Sequence, residues 1–193
     1  MGNYDKESYL TGDIDPKSWR DHVSVKTMEN LSEYIHGSVL DIGCNVGTKT
    51  YWLSLFDNLR KVVGVDINPM SLAVARSKFK DFRYPCEFRC LNVVEEKIDE
   101  KFDSIVCFHV FEHIYPDDVP AFLSNVSDML DDKGFLIMGM PYDKAFNDKC
   151  HVAWYKVDSL VEVMSKNGFD TIRAYKEDRY RDRNNLIGLF KKK

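Results

Sequence analysis

Two groups of residues in this chain have types and spacings that suit chemistry. The first is a loop, Asp41-Ile42-Gly43-Cys44-Asn45-Val46-Gly47, which is followed nineteen residues later by Asp66. Gly43 allows a sharp turn and a close approach of a ligand to the backbone, and Gly47 allows the next helix to pack close to the strand. Asn45 belongs to a residue type that tolerates positive φ. Because Asp66 is spaced to accept hydrogen bonds from both hydroxyls of a ribose, this group predicts a nucleoside site.

The second group follows a later apolar run, in the segment His109-Val110-Phe111-Glu112-His113, and His151 comes further along the chain. Imidazole and carboxylate groups act as general bases and as metal ligands. We therefore predict that this group faces the acceptor of a reaction. The remaining histidines, His22 and His36, are predicted to be surface or packing residues.

Short apolar, β-branched segments alternate with segments of helical periodicity, and both kinds of segment position these two groups. The predicted strands are Ser38–Ile42, Lys61–Val65, Glu87–Leu91, Asp103–Phe108, Gly134–Met140, Phe169–Tyr175 and Asn185–Phe190. The predicted helices are Pro16–Val23, Val25–His36, Thr48–Phe56, Ser71–Lys80, Asp117–Leu130 and Asp158–Lys166. This alternation predicts an open α/β sheet with helices on both faces, and ligands are expected at the carboxyl ends of its strands.

Length, charge and cysteine content narrow the class of protein. A chain of 193 residues fits one domain, and a net charge of −4 argues against a nucleic-acid-binding surface. No apolar run is long enough for a membrane span, and the polar N-terminal segment has no secretion signal. The five cysteines include no C-x-x-C pair, which favours buried free thiols in a reducing compartment. We expect a cytoplasmic protein with a small-molecule or glycan partner, and the sequence does not indicate an oligomeric state.

Five segments, taken in order, resemble the motifs of class I S-adenosylmethionine-dependent methyltransferases. They are VLDIGCNVG (Val39–Gly47), VVGVDINPM (Val62–Met70), CLNVVE (Cys90–Glu95), FDSIVCFHVFEHI (Phe102–Ile114) and LDDKGFLIMGMP (Leu130–Pro141). The resemblance covers the chain from about Leu31 to the C-terminus. It implies a single Rossmann-like domain with a doubly wound, seven-stranded, mostly parallel sheet whose last strand is antiparallel. Residues 1–36 would form an N-terminal helical cap, and residues 37–193 the catalytic core.

The resemblance also implies which residues surround S-adenosylmethionine: Asp41, Gly43, Cys44, Gly47, Asp66, Ile67, Asn92, Val93 and Phe108. The glycine loop would border the methionyl part, Asp66 the ribose, and Ile67 and Val93 the two faces of adenine. Phe108 would lie beneath the sulfonium. Asn92 stands where the family often has Asp, and an Asn can still meet an adenine edge. Asp41 disfavours a pyrophosphate cofactor, whereas a methionyl ammonium tolerates it, often through water.

Three hypotheses describe the acceptor side. In one, His109, Glu112, His113 and His151 bind a divalent metal, as in the E-x-x-E-H pattern of ubiquinone-pathway O-methyltransferases and small-RNA 2′-O-methyltransferases, which this chain resembles. His109 replaces the first Glu of that pattern, so the donors suit Mn, Fe, Co or Zn better than Mg. In the second, no metal binds and one histidine is the general base. In the third, the histidines are structural.

The function predicted on this basis is O-methylation of a hydroxyl that has a neighbouring oxygen, as in a sugar, a glycan or a catechol. A metal would chelate both oxygens and lower the pKa of the one to be methylated. A glycan or sugar is favoured because the chain is compact and acidic. The alternatives are an RNA 2′-O-methyltransferase, a metal-free small-molecule O- or N-methyltransferase, and a non-catalytic cofactor-binding module.

Overall fold

A computed structural model of the chain describes residues 22–78, 80, 82–142, 149–180 and 183–193. The strands are β1 (Gly37–Ile42), β2 (Leu59–Asp66), β3 (Cys86–Cys90), β4 (Phe102–Phe108), β5 (Leu130–Pro141), β6 (Phe169–Tyr180) and β7 (Arg183–Lys192). Within the described residues they form one sheet in the order β3-β2-β1-β4-β5-β7-β6. Strands β1 to β5 pair in parallel, and β7 runs antiparallel between β5 and β6. The predicted seven-stranded α/β sheet and its antiparallel last strand are therefore confirmed.

Helices cover both faces of this sheet. They are α1 (Val23–Asn30), α2 (Thr48–Leu53), α3 (Pro69–Lys78), α4 (Val119–Met129) and α5 (Val157–Lys166). Val25 of α1 and Leu53 of α2 are buried in one apolar cluster with Val62 of β2. Phe122 of α4 and Leu160 of α5 are buried in a second cluster on the opposite face. The two clusters thus lie on opposite sides of the sheet, between it and the helices.

Neighbouring strand residues belong to different clusters because successive side chains of a strand point to opposite faces. In β1, Val39 packs with α1 and α2, whereas Leu40 packs with α4 and α5. Val62 and Val63 divide between the two faces in the same way. A strand that is buried on both faces needs a continuous apolar run, which is the pattern these segments show.

The element boundaries differ from prediction where pairing continues past an irregularity. β2 begins at Leu59 rather than Lys61, because Gly37 pairs with Leu59 ahead of a register shift. β5 begins at Leu130 rather than Gly134, because Leu130 pairs with Phe102 before a similar shift. Polar residues around such a bulge conceal the strand in the sequence.

The segment before the sheet departs from prediction as well. The helix predicted over Val25–His36 ends at Asn30, and a 3-10 turn (Ser32–Tyr34) leads into β1. Most of the helix predicted over Pro16–Val23 and most of the predicted cap lie outside the described residues, of which the first is His22. His22 caps α1, and Val23 is the first residue of α1. Among the described helices, none is long and apolar enough to cross a membrane.

Candidate active site

A cavity of about 540 Å³ opens where β1, β2, β3 and β4 end. Its volume is in the range typical of small-molecule sites, and its place at the carboxyl edge of the sheet is the predicted one. Seven of the residues predicted for the cofactor and acceptor line it: Gly43, Asp66, Ile67, Asn92, Val93, His109 and His113. The fold therefore brings the two predicted groups of residues to one cavity.

The loop after β1 has the conformation predicted from its residue types. Gly43, Asn45 and Gly47 all have positive φ, at 72°, 49° and 82°. The amides of Gly43 and Cys44 both donate to the carbonyl oxygen of Val65, at 2.8 and 3.0 Å, which ties the loop to the end of β2. A Cβ atom at position 43 would lie 2.1 Å from Cγ2 of Val110, which follows β4. A larger residue at position 43 would therefore force Val110 to shift.

Asp66 organises the two loops that border it. Its Oδ2 accepts a hydrogen bond from the Asn45 amide at 2.9 Å, and its Oδ1 accepts one from the Asn68 amide at 2.8 Å. A carboxylate has about four lone-pair sites. Two acceptor sites therefore remain, in a residue that lines the cavity.

The wall beyond Asp66 is built from the residues after β3. Asn92 Oδ1 accepts a hydrogen bond from the Val94 amide at 3.2 Å, and the Val93 carbonyl accepts one from Asn125 Nδ2 at 2.9 Å. Ile67 also lines the cavity and is 39% exposed. Two apolar side chains and an amide thus line the part of the cavity predicted to hold adenine.

Four residues predicted to surround the cofactor do not line the cavity: Asp41, Cys44, Gly47 and Phe108. The ring of Phe108 is buried with Val106 on the α1 face of the sheet, because residues two apart on β4 point the same way. Cys44 is buried against Leu72 of α3. A Cβ atom at position 47 would lie 2.9 Å from Cβ of Ala75, so Gly47 permits close packing against α3 rather than between α2 and β1, where it was predicted to act.

Asp41 lies beneath the loop. It is fully buried, and its Oδ2 accepts a hydrogen bond from Thr50 Oγ1 at 2.7 Å, while its Oδ1 has no partner among the described groups. Burial raises the pKa of Asp41 to about 6, although Lys49 and Thr50 act in the opposite direction. A carboxylate there is poorly solvated, which keeps it sensitive to any nearby charge.

Glu112 is the centre of the acceptor group. It lies in a 3-10 turn after β4 and is 2% exposed, and neither of its carboxylate oxygens has a hydrogen-bond partner among the described groups. Its Oε1 is 3.4 Å from His109 Nδ1 and 4.0 Å from His113 Nε2. Burial by itself would raise the pKa of Glu112. The favourable interactions of the carboxylate with His109 and then with His113 outweigh the effect of burial, so the pKa is lowered overall. His109 has a φ of 58°, a strained backbone conformation that is common at functional sites.

His151 reaches this group from the far side. The amides of Val152 and Ala153 donate to the Glu112 carbonyl at 2.9 and 3.2 Å, which fixes the segment beside the 3-10 turn. The ring of His151 is then 4.9 Å from that of His113, in an edge-on arrangement. His113 Nδ1 is 3.1 Å from the Cys150 carbonyl, and Cys150, His113 and His151 offer ligand atoms within 4.8 Å of one another. His151 itself does not line the cavity.

Among the lining residues that were not identified from the sequence are two basic ones. His22, predicted to be a surface or packing residue, lines the cavity, and its ring is 6.5 Å from that of His109. Its Nδ1 accepts a hydrogen bond from the Ser24 amide at 3.2 Å, and burial lowers its pKa to about 4. Lys49 also lines the cavity, and its Nζ donates to the Phe108 carbonyl at 2.8 Å. No sequence signal indicated a capping role for His22, because His22 fell within the helix predicted over Pro16–Val23.

Comparisons with known proteins agree with this architecture. A family model described as a methyltransferase domain matches residues 40–136. A ubiquinone biosynthesis O-methyltransferase of Bradyrhizobium diazoefficiens is 32% identical over 100 residues, which are 52% of this chain and 38% of that relative. The chain thus spans well under half the length of that curated relative. An uncharacterized protein of Haemophilus influenzae is 27% identical over 191 residues, covering 94% of this chain and 72% of that protein.

Solved structures share the fold. The N-methyltransferase NodS from Bradyrhizobium japonicum WM9, in complex with S-adenosyl-l-homocysteine, has a TM-score of 0.76 at 20% identity, covering 97% of this chain and 96% of that chain. A S-adenosylmethionine-dependent methyltransferase from Clostridium acetobutylicum has a TM-score of 0.71 at 18% identity, covering 97% and 95%. At these identities the likeness concerns the fold. Together with the family match, the ordered motifs and the cavity at the carboxyl edge of the sheet, it means that the chain belongs to the class I S-adenosylmethionine-dependent methyltransferases.

Proposed function

We propose that this enzyme transfers the methyl group of S-adenosylmethionine to a hydroxyl of a small molecule that has a second oxygen beside it. The observation that carries this proposal is the buried Glu112 carboxylate, which lies within 3.4 Å of His109 and 4.0 Å of His113. Both histidines line the same cavity as Asp66. A hydroxyl must lose its proton as it attacks the methyl carbon, and a histidine held by a carboxylate is a common proton acceptor. The curated relatives named as O-methyltransferases support oxygen as the accepting atom.

The lining residues support binding of the cofactor across the strand ends. We assign Asp66 to the ribose hydroxyls, and Ile67, Asn92 and Val93 to the adenine. The loop at Gly43 would border the methionyl part. The reacting methyl group would then lie near the end of β4, where His109 lines the cavity.

His109 is the proposed proton acceptor. Its Nδ1 is 3.4 Å from Glu112 Oε1, so the carboxylate orients the ring and stabilises the charge that appears on it when Nε2 takes a proton. The methyl group passes from the sulfonium to the acceptor oxygen, the C–S bond breaks, and the departing thioether keeps the electron pair of that bond. Positioning accounts for much of the remaining acceleration, because the three reacting atoms must be in line.

A divalent metal is a further hypothesis for this group. Among the described residues, His113, Cys150 and His151 have ligand atoms within 4.8 Å of one another, so two of the four predicted ligands belong to that cluster. Glu112 is buried without a hydrogen-bond partner among the described groups, which is costly unless a cation approaches, and the donors around it are imidazoles. His109, Glu112, His113 and His151 would hold the ion, and this donor set suits Mn, Fe, Co or Zn better than Mg. When bound, the metal would supply Lewis acidity that lowers the pKa of the acceptor hydroxyl.

The test combines an acceptor screen with one matched pair of variants. Formation of S-adenosylhomocysteine is measured with catechols, with vicinal-diol sugars and with a short RNA that ends in a ribose diol. Glu112→Gln should lower kcat on the best acceptor by about 10²- to 10⁴-fold, since both the base and the metal hypotheses depend on this carboxylate. Glu162→Gln, on the exposed face of α5, is the control and should leave kcat unchanged.

Metal dependence is measured separately from turnover. The wild-type protein should retain a divalent ion after gel filtration, and Glu112→Gln should lose it. Full activity after complete chelation would refute the metal and leave His109 as the base. Full activity of Glu112→Gln would refute both roles.

A further inference from the structure

Lys49 is the second residue of α2, and its side chain crosses from that helix to the end of β4. There its Nζ donates a hydrogen bond to the Phe108 carbonyl oxygen at 2.8 Å. It is the one lysine or arginine among the described residues that line the cavity. An ammonium group has three N–H donors. One is used on Phe108, so two remain for a ligand.

The strand order determines which end of the cavity Lys49 occupies. Along the sheet edge the order is β3-β2-β1-β4, so the lining residues run from Asn92 through Asp66 and Gly43 to the end of β4. The proposed function, on which this inference rests, assigns adenosine to the β3 and β2 end. The amino-acid part of the cofactor then extends towards β1 and β4. Lys49 lies at that end.

Two carboxylates lie near this end of the cavity. Asp41, at the end of β1, and Glu112, after β4, are both buried and do not line the cavity. A ligand carboxylate that entered such a site without a cation would lose its hydration and meet like charges, which is costly. S-adenosylmethionine carries a carboxylate on its methionyl part. Lys49 offers that carboxylate a cation in this part of the cavity.

We propose that Lys49 binds the methionyl carboxylate of the cofactor, and that this contact sets the preference of the enzyme for the intact amino-acid group. The side chain is already held near that position by the Phe108 carbonyl, so little rotamer entropy is lost when the ligand arrives. Lys49 is therefore a cofactor-binding residue rather than a proton acceptor.

The experiment measures dissociation constants by calorimetry for three adenosine ligands. S-adenosylhomocysteine has the amino group and the carboxylate, its decarboxylated aminopropyl analogue lacks only the carboxylate, and 5′-methylthioadenosine lacks both. The wild-type protein should bind S-adenosylhomocysteine about 10- to 100-fold more tightly than the decarboxylated analogue, the range expected for one hydrogen bond between charged groups.

Lys49→Met should remove most of this preference by weakening S-adenosylhomocysteine alone, and Lys49→Arg should retain much of it. Lys166→Met, which removes an exposed lysine paired with Glu162 on α5, is the matched control and should change none of the three constants. An equal loss for all three ligands in Lys49→Met, or no loss for S-adenosylhomocysteine, would overturn the inference. Failure of the wild-type protein to bind any of the ligands would instead contradict the proposed function, and the inference with it.

Discussion

Replacement of Asp41 by Asn should change how the stability of this protein depends on pH. Burial raises the pKa of Asp41 from 3.8 to about 6. Between these two values the folded protein holds a proton that the unfolded chain has released, so this group lowers stability as the pH rises through that window. At pH 7 the charged, buried carboxylate costs about 3 kcal/mol relative to its protonated form, by the usual conversion of a pKa difference.

Asp41→Asn cannot ionise, so it should escape this cost. The amide can keep the hydrogen bond from Thr50 Oγ1, which is 2.7 Å long in the native protein. Near pH 4 the two proteins should have similar stability, because a protonated carboxyl group and an amide are close in size and polarity. At pH 7 the variant should be more stable by about 3 kcal/mol.

Urea unfolding is monitored by tryptophan fluorescence, without cofactor, at several pH values between 4 and 7. It gives the free energy of unfolding of the wild-type protein and of Asp41→Asn. The quantity of interest is their difference, since other carboxyl groups affect both proteins alike. Asp132→Asn is the control, because Asp132 is 93% exposed at its side chain and pairs with Lys192, which lowers its pKa. A difference between Asp41→Asn and wild type that stays constant from pH 4 to pH 7 would refute the buried-charge explanation.

Two further substitutions test the loops of the cofactor site. Asp66→Asn places an amide donor against one of the two backbone N–H groups from which the carboxylate now accepts hydrogen bonds. The variant should therefore bind S-adenosylhomocysteine about 10- to 100-fold more weakly in calorimetry. An affinity within about twofold of wild type would contradict this role. Gly43→Ala should lose about 1–3 kcal/mol more than Gly168→Ala in urea unfolding, because both glycines have positive φ but only the Gly43 Cβ would collide, at 2.1 Å from Val110 Cγ2. Equal losses in the two alanine variants would show that the collision is relieved at no cost.

The sheet and the cofactor loop were predictable because their signals are local. A strand buried on both faces needs an unbroken apolar run, and a loop that folds back on β2 needs residues that accept positive φ, as Gly43, Asn45 and Gly47 do. The spacing to Asp66 then follows from the length of one strand–helix unit. The bulged starts of β2 and β5 were not predictable in this way, because pairing across a register shift depends on the partner strand.

The site was predicted less completely, for reasons of side-chain direction. Phe108 shares the orientation of Val106, so its ring lies in the core, and alternation along β4 already contained that signal. Lys49 and His22 enter the cavity from helix starts, where a long or capping side chain can point in several directions. No periodicity in the sequence fixes such a direction. The convergence of Glu112 and His151 required backbone contacts between distant segments.

The position of β7 between β5 and β6 has a consequence for synthesis of the protein on the ribosome. When residues up to 180 have been made, β5 has no partner on its outer side and β6 has no neighbour, because β7 separates them in the finished sheet. The nascent chain therefore exposes an apolar strand edge until Leu186, Ile187 and Leu189 emerge and become buried. The sheet is therefore completed only after β7 has left the ribosome and has paired between β5 and β6. An interruption of translation before that point would leave an aggregation-prone intermediate.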